Sequence, residues 1–113
     1  MRIYVIAEAG VNHNGREDLA LQLVETAARC GADVVKCQTF SAHKLVVPGA
    51  DKAEYQKRET GSSDQFDMLK QLQMSDDMHR KVAMRCRALG IEFMSTPFDE
   101  EAAFAPLRRA ETI

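Results

Sequence analysis

The chain has 113 residues, of which 45% are hydrophobic, and its 15 basic and 17 acidic side chains give a net charge of −2. This length allows one small domain at most, and the near-balanced charge removes the main electrostatic argument for a nucleic-acid-binding protein. No apolar run approaches the about 18 residues that a membrane-spanning helix needs, so a membrane protein is not expected.

The first part of the sequence alternates between strand and helix patterns. Residues 3–9 are rich in β-branched and aromatic side chains and stop at Gly10, which predicts a buried strand. After a tight loop, a four-residue apolar spacing predicts an amphipathic helix that begins near Glu17 and ends before Gly31. Residues 32–40 predict a second strand, about 30 residues after the first, which is the length of a βαβ crossover unit.

The second part loses this pattern for about 20 residues after Phe40, and a loop of that length is usually functional or carries small helices of its own. The elements predicted after the loop are helices over residues 64–72 and 76–89, a strand over 91–96 and a last helix after Asp99. Ser75 is the expected N-cap of the second helix, and Gly90 marks its end.

The alternation predicts parallel strands joined by right-handed helical crossovers. Three parallel strands cannot close into a barrel, and a chain of 113 residues cannot also cover both faces of such a sheet. We therefore predict an α/β fold made of the first three βα units of a (β/α)8 TIM barrel. Residues 1–113 are expected to be a fragment of a larger protein.

The number and spacing of the cysteines and the first residues of the sequence indicate the expected cellular compartment. The cysteines Cys30, Cys37 and Cys86 are widely spaced and odd in number, so neither a disulfide framework nor a CxxC metal site is expected. The sequence enters its first strand-like run without a signal peptide. We therefore expect a cytoplasmic protein with reduced thiols.

Polar side chains lie near the ends of all three predicted strands, where parallel β/α folds gather their functional residues. The first strand carries Glu8, the second carries Lys36 and Gln38 on one face, and the third ends in Ser95 and Thr96. Charged and amide groups in apolar strands are costly to bury without partners. These positions are therefore candidates for a functional site.

Each candidate also has a structural interpretation. Glu8 and Lys36 could form a structural ion pair, and Lys36 could pair with Asp33 instead. Gln38 could satisfy backbone groups of a loop. Thr96 could cap the following turn.

The histidines and the strand cysteine have less specific signals. His13 lies in the loop after the first strand, where it either pins the loop through a hydrogen bond or contacts a substrate. His43 and His79 lack partners at metal-ligand spacing and are expected on the surface. Cys37 alternates with the polar residues of its strand, which predicts a packed thiol on the opposite face rather than a nucleophile.

Residues 7–15 read AEAGVNHNG, and residues 35–40 read VKCQTF. These segments resemble the AEhGxNHxG segment and the VKxQTF strand of the N-acetylneuraminate (sialic acid) synthases. Residues 52–56 and 95–99 match two further signatures in the same order. The resemblance covers about residues 3–102, and legionaminate synthases share the same motifs.

This resemblance implies a (β/α)8 barrel followed by a small antifreeze-like domain, in a homodimer. Residues 1–113 would then be a partial TIM-barrel synthase domain that lacks the rest of the barrel and the antifreeze-like domain. The implied enzyme condenses phosphoenolpyruvate with N-acetylmannosamine or a related N-acyl hexosamine, and it releases phosphate. A divalent metal, Mn²⁺ or Mg²⁺, polarises the sugar aldehyde, and its ligands lie on later strands, outside this chain.

The resemblance also implies a role for each candidate residue. Glu8 would be catalytic, through a contact with the sugar or the reaction intermediate. The substrate-binding set would comprise a cation for phosphoenolpyruvate, an amide for sugar hydroxyls, two hydroxyl donors, two loop residues and a side chain that covers the sugar: Lys36, Gln38, Thr96, Ser95, Asn12, His13 and Tyr55.

Two alternatives stay open at this point. The acceptor could be the precursor of legionaminic acid or of another nonulosonic acid. The chain could also be a non-catalytic truncated α/β fragment that acts only as an association module. On either interpretation the chain alone is expected to be inactive.

Overall fold

The computed structural model describes residues 2–45 and 65–98. Strands and helices alternate in these two ranges, in the order β1 (Ile6–Gly10), α1 (Glu17–Arg29), β2 (Val34–Thr39), α2 (Ala42–Leu45), α3 (Gln65–Leu72), α4 (Asp76–Leu89) and β3 (Glu92–Pro97). The helix predicted after Asp99 lies outside the described residues. No helix within the described ranges is long and apolar enough to cross a membrane.

The three strands form one parallel sheet in the order β1-β2-β3. Ile6 pairs with Val34 across β1 and β2, and Val34 pairs with Glu92 across β2 and β3. The predicted βαβ arrangement is therefore confirmed, with α1 as the first crossover helix.

Local side-chain chemistry sets the limits of α4. The Ser75 hydroxyl accepts a hydrogen bond from the Met78 backbone N–H at 3.1 Å, which satisfies one free donor of the first turn. Asp76 and Asp77 place negative charge at the positive end of the helix dipole. The helix ends where Gly90 adopts the left-handed conformation. Both predicted ends of this helix are confirmed.

The start of β1 differs from its prediction. Residues 3–5 precede the paired part of the strand, because β2 begins at Val34, opposite Ile6. The Asp33 side chain instead accepts hydrogen bonds from the Val5 N–H at 2.8 Å and from the Arg2 guanidinium at 2.7 Å. These two contacts hold the pKa of Asp33 below its ordinary value. Ile3 is 80% exposed, so the prediction of a buried strand from residue 3 is wrong by three residues.

Within the described residues, helices cover one face of the sheet. Helices α1 and α4 pack against it, and their core contacts include Val24, Val35, Val82 and Cys86. Large apolar side chains on the other face remain accessible, with Ile6 46% and Met94 39% exposed. We call this second face the open face. It also carries the polar strand-end side chains described below.

A close contact between the loop after β1 and helix α3 requires a glycine at position 15. Gly15 has φ +74°, and a Cβ atom there would lie 2.1 Å from the Gln71 carbonyl oxygen. We expect Gly15→Ala to lower the free energy of unfolding by at least about 2 kcal/mol, from the backbone clash and the left-handed conformation together.

The matched control for this prediction is Gly31→Ala. Gly31 has a similar φ of +84°, but no heavy atom lies within 4 Å of its Cβ position. This variant is expected to lose about 1 kcal/mol, from the backbone conformation alone. Denaturant unfolding of both variants measures the difference, and equal losses would show that the Gln71 contact does not constrain the loop.

Candidate active site

An ion pair joins β1 and β2 on the open face. Glu8 and Lys36 are register partners, and the Lys36 Nζ atom lies 3.0 Å from Glu8 Oε2. Asp33, the other proposed partner of Lys36, is bound by Arg2 instead. The Lys36 side chain is 33% exposed and that of Glu8 is 51% exposed, so a ligand can reach both groups.

Gln38 and Thr96 lie beyond this pair, towards the carboxyl ends of their strands. They are register partners across β2 and β3, and period-2 alternation puts them on the same face as Lys36. Together the four side chains offer a cation, a carboxylate, an amide and a hydroxyl on neighbouring strands. Such a set can bind a ligand that carries both anionic and hydroxyl groups.

Gly10 leaves the space between the first strand and Gln38 open. A bulge shifts the register between Glu8 and Gly10, so Gly10 pairs with Cys37. A Cβ atom at Gly10 would lie 3.5 Å from Glu8 Oε1 and 3.8 Å from Gln38 Nε2. The carboxylate and the amide therefore flank a residue without a side chain, an arrangement that sequence reasoning did not identify.

Ser95 does not join this group. Its hydroxyl contacts the Thr39 Oγ1 atom at 2.5 Å, on the face of the sheet that the helices cover, and Thr39 in turn contacts His79 Nε2 at 2.9 Å. Adjacent residues of a strand point to opposite faces, so only Thr96 of the predicted hydroxyl pair lies on the open face.

His79 was expected on the surface, and that prediction is wrong. The residue is 1% exposed, and its ring lies between α4 and the sheet, where it also makes an edge contact with the Phe93 ring. Its Nδ1 atom also lies 3.2 Å from the carbonyl oxygen of Ser75, four residues earlier in the sequence.

The loop after β1 carries the predicted residues Asn12 and His13. Asn12 is exposed, whereas His13 is 1% exposed, and the His13 Nδ1 atom accepts a hydrogen bond from the Gly15 N–H at 2.9 Å. The loop-pinning interpretation of His13 therefore describes its observed contact. Tyr55, the residue expected to cover the sugar, lies outside the described residues.

Burial lowers the pKa of His13 below its ordinary value of 6.5. His13 therefore binds a proton less tightly in the folded chain than in the unfolded chain. As a result, the free energy of unfolding decreases as the pH falls below about 6.5. His13→Asn keeps an acceptor near Nδ1 but does not titrate. We expect the unfolding free energy of the unmodified protein to fall more steeply with acid than that of the variant. Denaturant unfolding at several pH values measures this, and parallel pH curves would contradict it.

The prediction of a packed thiol at Cys37 is confirmed, and Cys86 is buried as well. Cys37 and Cys86 lie in the core between the sheet and the helices. Burial raises the pKa of Cys37 to about 12 and that of Cys86 to about 11. Neither thiol is a ready nucleophile, because the thiolate is the reactive form.

The described residues do not fit a metal site. No group of three or more histidine, cysteine, aspartate or glutamate side chains in ranges 2–45 and 65–98 could hold a metal ion. The Glu8 carboxylate has Lys36 as its partner.

Comparison with protein families matches residues 23–109 to the NeuB family. The chain belongs to the NeuB family. Its resemblance to the sialic acid synthases is thereby confirmed at the level of the family.

Two similar relatives are N,N'-diacetyllegionaminic acid synthases. The protein from Legionella pneumophila is 52% identical over 103 residues, which cover 90% of this chain and 29% of the relative. The protein from Campylobacter jejuni is 42% identical over 99 residues, which cover 87% of this chain and 30% of the relative. The human N-acetylneuraminate-9-phosphate synthase is 28% identical over 99 residues, which cover 88% of this chain and 28% of the relative. The chain thus spans about 30% of the length of these synthases.

Solved structures give the same fold. The N-acetylneuraminic acid synthetase of Leptospira borgpetersenii, solved with citrate, superposes with a TM-score of 0.76 and 24% identity, over 96% of this chain and 34% of that one. The spore coat polysaccharide biosynthesis protein SpsE of Bacillus subtilis superposes with a TM-score of 0.63 and 30% identity, over 97% of this chain and 27% of that one. A three-stranded parallel α/β sheet with these neighbours is consistent with part of a (β/α)8 barrel.

Proposed function

We propose that this chain forms the first three βα units of a nonulosonic acid synthase that condenses phosphoenolpyruvate with an N-acylated hexosamine. The observation that carries the proposal is the accessible Glu8–Lys36 pair beside Gln38 and Thr96, on the open face of a NeuB-family sheet. The rest of the barrel, the antifreeze-like domain, the homodimer and the divalent metal belong to the same proposal.

In this proposal Lys36 binds an anionic group of phosphoenolpyruvate. Glu8 already orients the Lys36 ammonium group, which is accessible. A phosphate or carboxylate can therefore bind the ammonium group, and weakening the ion pair with Glu8 costs little because that pair is exposed to solvent. Thr96 adds a neutral hydroxyl donor on the next strand. Gln38 supplies both a donor and an acceptor for the hydroxyl groups of the sugar.

Glu8 acts next to the reacting carbons. The enol carbon of phosphoenolpyruvate attacks the aldehyde carbon of the open-chain sugar, water adds to the neighbouring carbon, and phosphate leaves with cleavage of the carbon–oxygen bond. A carboxylate beside that carbon stabilises cationic character as it develops. The described residues contain no fitting ligand set for a metal that would polarise the aldehyde.

The acceptor favoured by the comparisons is a di-N-acetylated hexose. The two diacetyllegionaminic acid synthases are 52% and 42% identical to this chain, against 28% for the neuraminate-9-phosphate synthase. A product with two N-acetyl groups requires both groups on the six-carbon acceptor, because phosphoenolpyruvate supplies only the three-carbon unit. N-Acetylmannosamine is the second candidate acceptor.

The proposal is tested with the complete protein that carries this chain. Purified protein is mixed with phosphoenolpyruvate, Mn²⁺ and either acceptor, and phosphate release and product mass are measured. Turnover with the di-N-acetylated hexose above that with N-acetylmannosamine is expected. Turnover with the second acceptor alone would overturn the choice of sugar.

A hybrid enzyme tests the chain itself. In the hybrid, this chain replaces the aligned 103 residues of the Legionella pneumophila synthase. A folded hybrid that turns over the di-N-acetylated hexose supports the proposed site. A folded but inactive hybrid, with an inactive complete protein, would favour the association module instead.

A further inference from the structure

A second group of polar side chains lies on the helix-covered face of the same strand ends. Ser95 on β3 contacts Thr39 on β2 at 2.5 Å, and Thr39 contacts the Nε2 atom of His79 on α4 at 2.9 Å. Thr39 is 5% exposed and His79 is 1% exposed. Polar groups buried this deeply cost stability unless each is paired, and each of these is.

The contacts give this hydrogen-bond chain a direction. The His79 Nδ1 atom lies 3.2 Å from the Ser75 carbonyl oxygen, which can only accept, so Nδ1 carries the ring proton. In the tautomer that this contact selects, the Nε2 atom accepts from the Thr39 hydroxyl. The Thr39 oxygen in turn accepts from the Ser95 hydroxyl, so donors run from β3 through β2 to α4.

The hydrogen-bond chain connects the strand ends that carry the candidate site. Thr39 follows Gln38 on β2, and Ser95 precedes Thr96 on β3, with side chains that alternate between the two faces. The Thr39 carbonyl also accepts from the Phe98 N–H at 3.2 Å, immediately after β3. A displacement of Thr39 would therefore move Gln38 and Thr96 relative to each other.

We propose that His79 is a positioning residue that acts through Thr39 and Ser95 to hold Gln38 and Thr96 in their substrate-binding geometry. This role rests on the proposed function. His79 itself lies on the opposite face from the substrate and does not touch it. Among the described residues, the Lys36–Glu8 pair has no contact with this hydrogen-bond chain. Loss of the hydrogen-bond chain is therefore expected to weaken substrate binding by Gln38 and Thr96.

Thr39→Val in the complete protein removes the central hydroxyl and keeps the side-chain shape. We expect the KM values for phosphoenolpyruvate and for the acceptor sugar each to rise about tenfold, because displacement of a contact by about 1 Å costs up to about 100-fold. The value of kcat should change much less. Thr39→Ser keeps the hydroxyl and should restore both KM values.

Two further variants complete the kinetic test. His79→Phe keeps a ring but removes the acceptor, and it should raise the same KM values. Thr26→Val is the matched control, since Thr26 is an exposed threonine of α1 that contacts Arg29, and it should leave both KM values unchanged. If His79→Phe does not fold, the comparison of Thr39→Val with Thr39→Ser still tests the positioning role.

A spectroscopic measurement that needs no turnover completes the design. Nitrogen-15 NMR of the imidazole should show the His79 proton on Nδ1, and a proton on Nε2 would overturn the hydrogen-bond chain. Normal KM values in folded Thr39→Val would overturn the positioning role alone. Absence of turnover in the unmodified protein would overturn the proposed function and, with it, the positioning role.

Discussion

Lys36→Ala in the complete protein is expected to raise the KM for phosphoenolpyruvate at least 30-fold, with a smaller change in kcat. Loss of a charge-assisted contact to a dianionic substrate costs about 2–4 kcal/mol, and about 1.4 kcal/mol corresponds to a factor of ten. Steady-state kinetics with phosphoenolpyruvate as the varied substrate measure the effect.

Stability should change little in this variant. The Glu8 side chain that loses its partner is 51% exposed and stays hydrated, so no charge is left buried. Denaturant unfolding of the variant should therefore resemble that of the unmodified protein. A large loss of stability with normal kinetics in the folded fraction would assign Lys36 to a structural ion pair.

The chain contains a matched control for this substitution. Lys81 on α4 also lies 3.0 Å from a glutamate, Glu17 on α1, and it is 48% exposed. This pair joins two helices on the outside of the sheet, away from the open face. Lys81→Ala is expected to leave the KM for phosphoenolpyruvate unchanged, and an equal rise in both variants would mean that the kinetics report general loss of positive charge.

Elements with strong local signals could be predicted from the sequence. Helix α4 begins and ends where Ser75 and Gly90 predict, because its cap contacts involve residues only three or four positions apart. The shared face of Lys36 and Gln38 also follows from strand alternation alone. These features depend on neighbours in the chain.

Features set by contacts between distant segments could not be predicted. Period 2 requires Ser95 and Thr96 to point to opposite faces, but which of them lies on the open face depends on the register with β2. The burial of His79 depends on Thr39, which is 40 residues away in the sequence. The first paired residue of β1 likewise depends on where β2 begins, opposite Ile6.

Glu8→Gln is expected to produce the opposite kinetic pattern to Lys36→Ala. The amide keeps the shape of the side chain and can still accept a hydrogen bond from Lys36, whose Nζ atom lies 3.0 Å from the native carboxylate. The charge beside the reacting carbon is lost, so kcat should fall by about 100-fold or more. The KM for phosphoenolpyruvate should not rise, because a negative charge near a dianionic substrate has been removed.

Glu17→Gln supplies the corresponding control for the carboxylate, since Glu17 makes the 3.0 Å contact with Lys81 and is 43% exposed. This variant should keep both kinetic constants. Initial rates of phosphate release, with each substrate varied in turn, measure kcat and KM for the two glutamine variants. If Glu8→Gln raised KM and left kcat intact, the carboxylate would act only by orienting Lys36. A fall in kcat with unchanged KM would place the charge of Glu8 in the transition state, where only interactions stronger than those in the ground state accelerate the reaction.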